Sequence, residues 1–132
     1  MVPEGVSVRS SAFDFPTTVR ATRDVLTAVG QTIFAEIDQS LAARRNGLQL
    51  RPTHLFLFGS PKAGTPLMQS APLVALDLPL RMLVWLDDDG VVKVAYRSVE
   101  TLRDAYGLRG ADERLRQIDN ALAVLLDKIV TP

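Results

Sequence analysis

Apolar positions along this chain change period several times, and each change marks an element. Val6 and Val8 point one way and Ser7 and Arg9 the other, which predicts a half-buried first strand. From Phe13 the period lengthens. Val19, Thr22, Leu26 and Val29 fall at i, i+3, i+7 and i+10, one stripe of a helix that Val25 widens. Pro16 suits the first turn of that helix and Gly30 its end. QTIFAEID returns to a period of two, with Ile33, Ala35 and Ile37 on one face and Phe34, Glu36 and Asp38 on the other. QSLAARRNG reads as a short helix closing at Gly47. HLFLFG and LRMLVWL are apolar on both faces, the pattern of strands covered on both sides.

SPKAGTPLMQSAP reads as a loop that leads into a short helix near Leu67. DDDG before VVKVAYR is a hairpin signal, so the fifth strand returns beside the fourth. SVETLRDAYG is a helix capped by Ser98. The last helix spans about Asp112 to Val130, with Leu115, Ile118, Leu122, Leu125 and Ile129 at helical spacing. Its first turn carries Asp112 and Glu113 and its last turn Lys128, as the helix dipole favours. Strands and helices intermix around one clear hairpin. The expected fold is α+β: two layers, about five mainly antiparallel strands packed with helices, plus a C-terminal helix.

Composition narrows the function classes. The 132 residues are 47% hydrophobic and 23% charged, as in globular proteins, and predict a single α+β domain over residues 1–132. Fifteen basic residues balance fifteen acidic ones, so no strong field draws nucleic acid or an anionic membrane. Cysteine is absent and His54 is the one histidine, which removes thiolate chemistry and any site needing two histidines within one chain. Neither a signal-peptide pattern nor a membrane-length apolar run is read, so the cytoplasm is the expected location.

Two groups of residues carry candidate chemistry. In GSPKAGTPLMQSAP a Gly/Pro/Ser loop leaves a buried strand and enters a helix. Backbone N–H groups there can bind an anion, with Ser60, Lys62 and Thr65 as side-chain donors and Gly64 allowing close approach. Gly59 and Gly64 are spaced as in a P-loop, but Thr65-Pro66 stands where Lys-Ser/Thr belongs, so nucleotide hydrolysis by that route is not expected. A plain structural turn also explains the same residues. The second group is Glu36 and Asp38, two apart on one strand, joined by Asp77 if the fold allows. Such carboxylates serve acid–base work or a hard cation; solvated carboxylates paired with Arg44, Arg45 or Arg81 are the simpler account. His54 and Ser60 lie at opposite ends of one strand, roughly 20 Å apart at about 3.3 Å per residue, too far for a nucleophile–base pair. No metal site and no cofactor are assigned.

The runs FDFPTTV, FAEID, LRPTHLFLFGSPKAGTPLMQSAP and LDLPLRMLVW with DDDGVVKVAY resemble the domain of unknown function 302 family, over about Phe13 to Leu108. The resemblance implies a small α+β domain, found alone, fused or repeated, and no assigned reaction. Gln39 stands where that family commonly has histidine, and Ser60 where it commonly has asparagine. If that histidine took part in chemistry, Gln39 could not titrate in its place.

The expected function is therefore a non-catalytic domain that binds a small anionic ligand, through Ser60, Lys62, Gly64 and Thr65, or a protein partner. The alternative is an enzyme using Glu36, Asp38 and Asp77, with or without a metal. A homodimer is expected on two grounds. A single helical layer would leave one sheet face bare, and the last helix carries Ala121, Ala123, Val124, Leu126 and Val130 beside its main stripe.

Overall fold

The structure is a computed structural model describing residues 1–132. Five strands form one sheet: β1 (Val6–Ser10), β2 (Thr32–Asp38), β3 (Thr53–Gly59), β4 (Leu80–Leu86) and β5 (Val92–Arg97). Their order is β1-β5-β4-β3-β2, and every neighbouring pair is antiparallel. The helices are α1 (Phe15–Ala28), α2 (Gln39–Arg45), α3 (Pro61–Ser70), α4 (Thr101–Tyr106) and α5 (Asp112–Val130), with a 3-10 turn at Pro72–Asp77. The fold is α+β, as the alternation and the hairpin predict.

Local chemistry sets the ends of these elements. Asp14 Oδ1 accepts from Thr17 N at 2.9 Å and starts α1, where Pro16 falls in the first turn. Thr22, the polar member of the α1 stripe, is fully buried and its hydroxyl donates to the Thr18 carbonyl one turn back. Gly30 ends the helix at φ 80°, a conformation that L side chains resist. α4 begins at Thr101, three residues after Ser98, whose Oγ accepts from Glu100 N at 3.2 Å in the turn that leads into the helix and donates to Asp119 of α5.

One sheet face carries the core. Phe56 and Phe58 of β3, Met82 and Val84 of β4, and Val92, Val94 and Tyr96 of β5 share it and pack with Leu26 of α1 and with Leu115, Leu122, Leu125 and Ile129 of α5. Leu67, Val74, Val99, Leu102 and Leu108 extend the same cluster under α3, the 3-10 turn and α4. Burying each such side chain stabilises the fold by roughly 1.5–3 kcal/mol.

The opposite face is open. Val6, Val8, Ala35, Ile37, Leu55, Leu57, Leu83 and Trp85 alternate away from the core, and none belongs to the core cluster or packs against it. β3 and β4 are thus interior to the sheet but covered on one side only, which corrects the expectation of two covered faces. The α5 argument for association also fails. Leu126 and Val130 are 3% and 2% exposed within this chain, so α5 lies in a groove of its own subunit; Val124 faces out.

β2 departs from strict alternation. A bulge between Ile33 and Ala35 inserts Phe34 as an extra residue. Ile33 consequently pairs with Phe58 and packs against the core, on the face opposite Ala35 and Ile37. Phe34 is left 58% exposed.

Candidate functional site

The segment after β3 is helical from its first residues, not a loop. Ser60 is extended (φ −120°, ψ 119°) and serves as N-cap, and Pro61 opens α3. Ala63 N and Gly64 N both donate to the Ser60 carbonyl, at 3.0 and 2.9 Å. Pro61 has no N–H, so Ser60 N–H and Lys62 N–H are the open backbone donors of this turn. That is a narrower anion site than the nest of converging donors the sequence suggests. Pro66, inside the helix, leaves the Lys62 carbonyl without its helical donor.

Starting the helix at Pro61 changes which residues share a face. Pro61, Gly64, Thr65 and Met68 fall at i, i+3, i+4 and i+7, and all four line a cavity of about 240 Å³. Its other walls are Phe34 and Gly59, the Leu78–Leu80 stretch before and into β4, Val99 and Ile118 of α5. The Leu78–Pro79 peptide in that stretch is cis. Ser60, Gly64 and Thr65 lie in this cavity, and Lys62 does not. Lys62 lines an adjoining cavity of about 350 Å³, which shares Ser60, Ala63, Leu80 and Ile118 with the first and adds Gln31, Arg114 and Gln117. Lys62 and Arg114 form no ion pair in the chain. Gln31 Oε1, beside them, is buried without a hydrogen-bond partner.

The first cavity is mostly apolar, with the Ser60 and Thr65 hydroxyls at the α3 start. A dry apolar cavity of about 150 Å³ already takes a benzene-sized guest. The walls therefore suit a small apolar body, and the α3 start suits a single polar or anionic end.

The carboxylates do not assemble into a site. Glu36 and Asp38 share the inner face of β2, as expected, but each is committed locally. Arg23 of α1 grips Glu36 with two bonds, Nε to Oε2 at 2.8 Å and a terminal nitrogen to Oε1 at 2.6 Å. His54 Nε2 lies 2.8 Å from the same Oε1. The Arg23 guanidinium holds the Glu36 carboxyl below its ordinary range, and the His54 hydrogen bond adds to this. Asp38 Oδ1 accepts from Leu41 N and from the Ser40 hydroxyl, both at 2.9 Å, and these bonds lower its pKa as well. Asp77 lies ahead of β4 and accepts from the Tyr106 hydroxyl at 2.6 Å, whose pKa is raised by that bond. No group of three or more His, Asp or Glu side chains is placed to hold a metal ion.

His54 thus pairs with Glu36 and is tilted against Phe56 with ring centroids 4.9 Å apart. The Arg23–Glu36–His54 cluster went unseen in the sequence because its members come from three elements. Phe34, Met68, Pro79, Val99 and Ile118 were missed as cavity residues for the same reason.

An antiparallel five-stranded sheet with α1 and α5 on one face, and a cavity between α3, β4 and α5, defines a small α+β domain. The chain belongs to the family described as domain of unknown function DUF302, whose model matches residues 6–125. The match reaches further than the motifs do and takes in most of α5. A crystal structure of an uncharacterized conserved DUF302 protein from Bacillus stearothermophilus shares this fold, with a TM-score of 0.87 at 16% identity, over 96% of this chain and 99% of that one. Among curated proteins, fluoride-specific ion channel FluC 1 of Brucella suis is 43% identical over 65 residues, which is 49% of this chain and 26% of that protein. FluC 2 of Brucella melitensis matches with the same identity over 24% of its length. The match thus spans about a quarter of these longer relatives. In this chain no helix is long and apolar enough to cross a membrane.

Proposed function

We propose that this chain is a non-catalytic module that binds a small ligand with an apolar body and one anionic end. The observation that carries the reading is the α3 stripe Pro61, Gly64, Thr65 and Met68 lining a cavity of about 240 Å³ at the start of a helix. The apolar body fills the space between α3, Leu78–Leu80, Val99 and Ile118. Its anionic end meets the Ser60 hydroxyl and the helix dipole where the two cavities join, with Lys62 on the adjoining side. Gly64 leaves open the space that a long side chain would fill.

The dispersed carboxylates supply the contrast. Glu36, Asp38 and Asp77 are each bound within the chain, which removes the motive for an acid–base or metal-assisted enzyme. The Brucella relatives agree with a module that accompanies another activity, since the shared stretch is a minor part of proteins named for ion passage.

A thermal-shift panel of benzoate, phenyl phosphate, hexanoate and inorganic phosphate tests the reading. Benzoate or phenyl phosphate is expected to raise the melting temperature more than inorganic phosphate does, and Ser60→Ala with Lys62→Ala to reduce the response. No stabilisation by any of the four, in wild type and variants alike, contradicts it.

A further inference from the structure

We propose that the open face of the sheet docks a second copy of this chain, sheet against sheet, around a two-fold axis lying across the strands. The first observation is an unbroken apolar row across all five strands. Ile37 pairs with Leu55, Leu55 with Leu83, Leu83 with Ala95 and Ala95 with Val8. Leu57 and Trp85 widen it on either side. None of its side chains packs on the core; α1 and α5 lie on the other face, and α2 contacts β3 at one end of the row. Stacked sheets pack at about 10 Å with strands near alignment, so two such faces can interdigitate.

Area agrees with a copy of the chain as the occupant. At about 4.8 Å per strand and about 3.4 Å per residue, the face measures roughly 24 Å by 20 Å, or about 480 Å² in plan. Side-chain relief and the charged rims raise the accessible area toward the roughly 800 Å² per partner of a standard stable interface.

Charge selects the orientation. On one side of the row stand Arg81 and Arg97, both exposed and neither in an ion pair. On the other side, beyond Trp85, the β4–β5 turn holds Asp87, Asp88 and Asp89. Asp87 and Asp89 grip Lys93 Nζ at 2.6 and 3.1 Å, while Asp88, 80% exposed, meets only Arg51. An axis across the strands lays the apolar row on itself and brings the arginine rim of each copy against the acidic turn of the other. An axis along the strands would instead oppose arginine to arginine. The self-complementary arrangement is the isologous kind that closes as a dimer. It uses no residue of the two cavities beside α3, so it stands or falls apart from the ligand reading.

Sedimentation and light scattering at low micromolar concentration test it. Wild type is expected at twice the 14.4 kDa chain mass. Leu83→Lys, at the centre of the row, is expected to raise the dimer dissociation constant at least about 30-fold. Arg81→Asp should raise it about 3- to 10-fold, and adding Asp88→Arg to the same chain should restore it. Val124→Lys, on the outer side of α5, should leave it unchanged. Circular dichroism checks that each variant is folded; if Leu83→Lys is not, the exposed Arg81→Asp and its charge swap decide alone. A 14.4 kDa particle at high micromolar wild-type concentration overturns the proposal. So does a dimer indifferent to both Leu83→Lys and Arg81→Asp, or a charge swap that restores nothing.

Discussion

Gly64 is the position where fold and proposed function make opposite demands. It lies within α3 without a positive φ, so the backbone there does not require glycine. A Cβ built at residue 64 would meet only Met68 Cε, at 3.9 Å, an ordinary contact. Glycine in a helix is about 0.5–1 kcal/mol less favourable than alanine, through the freedom it keeps when unfolded. Gly64→Ala is therefore expected to stabilise the chain by about 0.5–1 kcal/mol, a rise in melting temperature of roughly 2–4 °C for a domain of this size. Gly64→Leu is expected to hold most of that gain, because its side chain enters the cavity of about 240 Å³ rather than a packed wall. The same leucine occupies the space proposed for the ligand, so titration calorimetry with phenyl phosphate should lose its signal in Gly64→Leu and keep it in Gly64→Ala. A lower melting temperature for Gly64→Ala would refute the helical reading of this position. Undiminished binding by Gly64→Leu would refute its place in the site.

Other expectations follow from the ion pairs and the core. The Glu36 pKa is depressed in the folded state, so its contribution is full above the unfolded value near 4.5 and is lost as pH falls through the folded value. Glu36→Gln should cost about 1–2 kcal/mol at pH 7, less than a fully buried pair because Glu36 keeps 25% of its side-chain surface exposed, and the difference from wild type should shrink below pH 4 in acid-melting curves. Asp119 Oδ1 accepts from Val99 N at 2.8 Å and Oδ2 from the Ser98 hydroxyl, tying α5 to the start of α4. Asp119→Ala should cost about 1–3 kcal/mol by urea denaturation, because it leaves a half-buried donor unpaired. Phe58→Ala, at a fully buried site, should cost about 3–5 kcal/mol by the same measurement, and a loss under 1 kcal/mol would contradict the placement of the core.

Most elements could be read from spacing alone. Alternation located β1 and β2, apolar runs of strand length β3 and β4, the hairpin signal β5, and the 3,4 spacing of α5 the longest helix. The residues that resisted reading depend on contacts between segments. Both faces of β3 and β4 are apolar, which signals covering on two sides whether the cover is a helix or something outside the chain. Leu126 and Val130 widened α5 in the sequence and suggested a partner, yet the groove made by α1, β1 and β5 buries them. The bulge at Phe34 shifts Ile33 to the other face, a one-residue insertion that no local pattern announces. At the candidate site, Gly64 and Pro66 made α3 look like a loop, since both residues disfavour helix interiors. That hid the Pro61, Gly64, Thr65, Met68 stripe and with it the cavity. Ser60, Gly64 and Thr65 were named from composition, whereas Val99 and Ile118 reach the same space only through the fold.

Amide chemical-shift mapping of the full chain with phenyl phosphate tests the ligand-binding claim most directly. The expected result is a saturable shift centred on Ser60, Gly64, Thr65, Val99 and Ile118 around the cavity and on the adjoining open donor Lys62 N–H. Ser10 and Asp127, remote from the cavity, should stay still. No saturable shift, or one centred on Glu36, Asp38 and His54, contradicts the account.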